Sequence, residues 1–90
     1  MIFMDETQLK DTIERKKGRS SNSSWTIGIT NDPSRRKKEH ENEGDNVAYW
    51  AHWRADTLRV ARNVESYFID KGMKGGSGGP VETPLYVYVY

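Results

Sequence analysis

The chain has 90 residues, a net charge of +1 and no cysteine. That length suits one domain over 1–90, burying roughly 60–65% of its unfolded surface. Disulfides and thiolate metal sites are excluded, and so small a net charge argues against binding by bulk positive charge. No apolar run approaches the roughly 20 residues that span a bilayer. Met1-Ile2-Phe3-Met4 is cut off by Asp5 and Glu6 before it could form a signal core. The expectation is a cytoplasmic protein without a membrane partner. With 34% apolar residues, the core must lean on three Trp, five Tyr and two Phe.

Asp5 and Gln8 read as a capping box that opens a helix running to about Lys17, where Gly18 stops it. Its apolar stripe is thin: Leu9 and Ile13, helped by Ile2 or Phe3. Arg19 to Ser24 is polar and serine-rich, and reads as a loop. Trp25, Ile27 and Ile29 alternate with Thr26, Gly28 and Thr30, the period of a strand. Asp32 suits an N-cap and Pro33 the first helical position, so a second helix runs from Pro33 to about Asn42. That helix is almost wholly polar, a poor choice for structure alone.

Tyr49, Trp50 and Trp53 follow close together; core packing is the simpler reading, with base stacking as the alternative. A third helix is expected from about Arg54 to Lys71, with Leu58, Ala61, Val64 and Phe68 on one face and Gly72 as its stop. Lys74 to Pro80 is glycine-rich and reads as a connector. Leu85 to Tyr90 is the clearest strand, with Leu85, Val87 and Val89 on one side and Tyr86, Tyr88 and Tyr90 on the other. The order α-β-α-α-β predicts an α+β domain: a small antiparallel sheet of two or three strands packed by helices. An exposed edge on the tyrosine strand would be β-prone and could pair with a second copy as a homodimer.

Positive charge gathers at Arg15–Arg19 and Arg35–Lys38, and negative charge at Glu39, Glu41, Glu43 and Asp45. Arg36 and His40 stand four residues apart, on one helix face. A guanidinium forks onto phosphate oxygens and an imidazole moves a proton near neutral pH, so the pair suits a phosphodiester. The bland reading is a solvated arginine and a histidine favoured by the helix C-terminus.

The run from Thr26 to His40 resembles the second half of the GIY-YIG nuclease motif, with the spacing Gly28 to Arg36 to His40 kept without a gap. Ala61-Arg62-Asn63-Val64-Glu65 resembles the later helix that carries the family's metal-binding glutamate. The resemblance implies a metal-dependent endonuclease acting on DNA with a single Mg²⁺ or Mn²⁺ ion at Glu65. Arg36 would stabilise charge, and His40 or a tyrosine would assist proton transfer. Arg35, Lys37 and Lys38 would be secondary nucleic-acid contacts. The family's opening tyrosine-bearing strand is missing before Trp25, and Thr26 stands where the second signature tyrosine is expected. The C-terminal strand is therefore expected to pair with residues 25–30 in a permuted arrangement, with Tyr88 as its catalytic candidate. A catalytically inactive module of the same fold, binding nucleic acid or a protein, is the alternative.

Overall fold

The computed structural model describes residues 3–75 and 85–90. Its elements, in order, are α1 (Glu6–Lys17), a 3₁₀ turn (Asn22–Ser24), β1 (Thr26–Thr30), α2 (Pro33–Asn42), β2 (Ala51–Arg54), α3 (Leu58–Asp70), β3 (Lys74–Gly75) and β4 (Tyr86–Val89). The strands form one sheet in the order β2-β4-β1-β3. The α+β class holds, but the sheet has four strands and is mixed, because β3 runs parallel to β1. β2 falls within the aromatic cluster. Its alternation of apolar and polar residues spans only four positions, and α3 begins only after it, capped by the Thr57 hydroxyl on Val60 N–H at 3.1 Å. Lys74 and Gly75, expected in the connector, form β3; the rest of that connector, 76–80, lies outside the described residues.

β4 is central. It pairs antiparallel with β1 (Ile27 opposite Val89, Gly28 opposite Tyr88, Thr30 opposite Tyr86) and antiparallel with β2 (His52 opposite Tyr88). The expected pairing of the C-terminal strand with residues 25–30 is observed. The same pairing overturns the idea of an exposed edge on that strand: both its edges are taken, so it offers none to a second copy.

The strand period of two sorts the two sheet faces. Ile27, Val87 and Val89 are almost fully buried and join Leu9 and Ile13 of α1 with Ala61, Val64 and Phe68 of α3 in one core. Burying a side chain such as Phe68 contributes roughly 1.5–3 kcal/mol. The opposite face carries Gly28, Thr30, His52 and the tyrosines of β4, and α2 covers it.

Having little apolar surface, α2 is held by its ends. The Asp32 carboxylate caps Arg35 N–H at 3.1 Å, and the Thr30 hydroxyl accepts from Asp32 N–H at 3.1 Å, which ties the cap to the end of β1. The capping box of α1 is present as read, with Gln8 N–H to Asp5 at 2.8 Å and Asp5 N–H to Gln8 at 3.0 Å. Among the described residues, no helix is long and apolar enough to cross a membrane.

Candidate functional site

The site begins with a missing side chain. Gly28 lies opposite Tyr88 on the α2-facing side of the sheet, and the Tyr88 phenol leans across its bare Cα. A Cβ at position 28 would overlap the phenol oxygen and ring carbons. The glycine thus lays the ring flat and carries its hydroxyl to α2. There it meets His40 Nε2 at 2.9 Å, and the Arg36 side chain hydrogen-bonds it as well. Two sequence candidates four residues apart on one helix therefore share a third from the far end of the chain.

His40 is nearly fully buried. Its other nitrogen, Nδ1, lies 3.0 Å from Asp45 Oδ2 and 2.8 Å from the Tyr90 hydroxyl, which itself donates to Asp45 Oδ2 at 2.7 Å. A carboxylate only accepts, so these partners assign the proton to Nδ1 and leave Nε2 to accept from Tyr88. The polar chain reads Arg36 to Tyr88 to His40 to Asp45. Asp45 reaches the ring because Gly44, at φ +96°, turns the chain back after α2, and Asp45 N–H bonds to the His40 carbonyl at 3.0 Å. Trp50 closes the cluster from above. Its ring stacks on Tyr88 (4.6 Å, 10°) and Tyr90 (5.7 Å, 18°), and its Nε1–H donates to His52 Nδ1 at 3.0 Å.

The electrostatics follow from this packing. Burial raises the Tyr88 pKa; hydrogen bonding and charge from Arg36 oppose the rise, while the negative charges of Glu65 and Glu39 add to it. Burial works against the Arg36 charge, but its bonds to Tyr88 and to Glu39 (3.1 Å) outweigh that and raise its pKa. Burial also raises the Tyr90 phenol, helped by Asp45. The Asp45 carboxyl is held below the usual range by its hydrogen bonds from Tyr90 and His40.

That last shift has a definite pH sign. A carboxyl whose folded pKa is depressed adds stability above its unfolded value, about 3.9, and loses it as pH falls through the folded value. Asp45→Asn is expected to melt lower than wild type at neutral pH and to lose less on acidification. Thermal melts between pH 7 and 3 check this; parallel curves would remove Asp45 from the network.

The structure thus joins Arg36, His40 and Tyr88 by hydrogen bonds. Glu65 is on α3, which packs against the other face of the sheet, and its charge is still felt by Tyr88. The carboxyl is half-buried, and burial raises its pKa against the pull of Arg62. Arg35, Lys37 and Lys38 are exposed on α2, with the Arg35 guanidinium donating to Asn31 at 3.2 Å. Trp53 packs against the core, whereas Tyr49 stands exposed. His40, Glu43 and Asp45 each offer one ligand atom, all within 4.8 Å of one another, so this group could hold a metal ion.

Sequence reasoning missed Asp45, Tyr90 and Trp50 as members of the cluster. A signal existed for Asp45: a glycine just past the helix end, followed by an acid, five residues beyond His40. No family model, curated protein or solved structure matches the chain.

Proposed function

We propose that the protein is a GIY-YIG-like endonuclease that hydrolyses DNA phosphodiester bonds with a single divalent cation. The observation that carries this reading is the Tyr88 phenol, delivered by the C-terminal strand to the side chains of Arg36 and His40. It supplies a tyrosine to a motif that has Thr26 where one is expected.

Arg36 holds a non-bridging phosphate oxygen and neutralises the charge that grows in the transition state. The Tyr88 hydroxyl is fully buried, so the attacking water must be admitted beside Arg36; as it gives its proton to the Tyr88 oxygen, the Tyr88 proton passes to His40 Nε2. Asp45 faces the imidazolium so formed and keeps the ring in the tautomer that leaves Nε2 able to accept. Arg35, Lys37 and Lys38 meet flanking phosphates.

Glu65 would hold the cation. A half-buried carboxyl with a raised pKa fits a cation neighbour, with water filling the remaining positions. The His40, Glu43 and Asp45 group fits less well, because both imidazole nitrogens are already engaged. When bound, Mg²⁺ or Mn²⁺ supplies charge at the phosphate and a more acidic water. Titration of Mn²⁺ by electron paramagnetic resonance separates the two sites: Glu65→Gln is expected to abolish binding and Glu43→Gln to leave it.

Without the cation, Glu65 costs stability. Its folded pKa is raised, so stability falls as pH rises from about 4.3 through the folded value. Glu65→Gln, in chelator at pH 7, is expected to melt about 2 °C higher, the margin being small because solvent screens a half-exposed group. Below pH 4 the difference vanishes. A lower melting point at pH 7 would make Glu65 a structural residue.

The function is tested by incubating the protein with supercoiled and branched DNA in Mg²⁺ or Mn²⁺, beside Arg36→Ala and Glu65→Ala. Cleavage lost in both variants supports the nuclease. Thr26 favours the second reading, an inactive binding module of the same fold. No cleavage by any version, with a gel shift that Arg36→Ala weakens, would select it.

A further inference from the structure

A cavity of about 640 Å³ opens beside the phenol cluster and shares Tyr90 and Asp45 with it. Its size is that of a small-ligand site, about 300–1,000 Å³. Lys16, near the end of α1, and Lys74 of β3 line it, and the Lys74 charge reaches Asp45. Tyr49, from the loop after α2, lines it with a ring 68% exposed. Asn46 adds an amide whose Oδ1 is held by Ala48 N–H at 3.0 Å.

Each wall is one part of what a nucleotide needs. Ammonium groups meet phosphate as point charges, and an exposed aromatic ring offers a base a face to stack on. An amide offers hydrogen bonds to a base edge. A ring this large and this exposed contributes little to the core of a chain short of apolar residues.

We infer that this cavity binds one unpaired nucleotide next to the phosphate held at Arg36, so that the substrate is DNA with a single-stranded or extruded base at the cleavage point. The inference deepens the nuclease reading and rests on it for its placement. A base inside a duplex hides its faces in the stack and cannot use Tyr49.

The test uses a single-stranded DNA heptamer with 2-aminopurine at its centre, and the same sequence as a duplex, both in chelator. Wild type is expected to quench the single strand and bind it more tightly than the duplex. Tyr49→Ala weakens that binding about tenfold, and Lys16→Ala with Lys74→Ala does the same. All three side chains are exposed, so these variants keep the fold. Quenching that is absent, or indifferent to Tyr49 and to both lysines, overturns the inference, while the cleavage assay on Arg36→Ala and Glu65→Ala judges the nuclease separately. Quenching lost in Tyr49→Ala, with no cleavage by any version, keeps the nucleotide site and rejects the nuclease.

Discussion

Gly28→Ala is expected to lower stability by about 3 kcal/mol, near the upper end for overpacking, a fall in melting temperature of roughly 15 °C. The added methyl would overlap the phenol of Tyr88, and the ring has no slack. It is fully buried, stacked on Trp50, and fixed at its hydroxyl by His40 and Arg36. Backbone conformation is not the issue, because Gly28 is not among the positive-φ glycines. The cause is therefore testable by a cycle. In a Tyr88→Ala background the methyl has room, and its cost should fall by at least about 1 kcal/mol. Equal costs in the two backgrounds, read by denaturant unfolding, would show that the glycine serves something other than the phenol.

Tyr88→Phe is expected to reduce cleavage by about 10²–10⁴-fold while DNA affinity changes little. The ring and its stacking on Trp50 survive, so the loss isolates the hydroxyl. Stability also falls, by about 1–3 kcal/mol, since the buried His40 Nε2 loses its donor. Rates must be compared well below both melting points, beside gel-shift affinities. Wild-type cleavage by this variant would take Tyr88 out of the proton path and leave it a structural residue.

Much of the frame was legible because local rules and global structure agree there. Asp5 and Gln8 bracket α1, Asp32 and Pro33 open α2, and both strands with a strict alternation, Trp25–Thr30 and Leu85–Tyr90, appear where the period places them. β2 was hidden by its own residues. Ala51, His52, Trp53 and Arg54 alternate apolar and polar, but four residues are too few to stand out beside the neighbouring Tyr49 and Trp50. β3 is two residues long and glycine-bearing, and only its parallel partner makes it a strand. The arginine and histidine could be read from helical spacing. Asp45 left only the faint mark of an acid after Gly44, and Tyr90 left none, because the contacts are set by a turn and by a strand register.

The position of β4 has a consequence for the life of the chain before it is folded. The middle of the sheet joins β1 to a strand at the far end of the chain, and such distant pairings close slowly. Until they do, Arg36 and His40 ride on an isolated polar helix that is marginal by itself, with no phenol between them. On the proposed nuclease reading, a half-made or locally opened chain is then harmless to any nucleic acid it meets. In the proposed nuclease, the pairing of β4 with β1 is also the step that arms the protein.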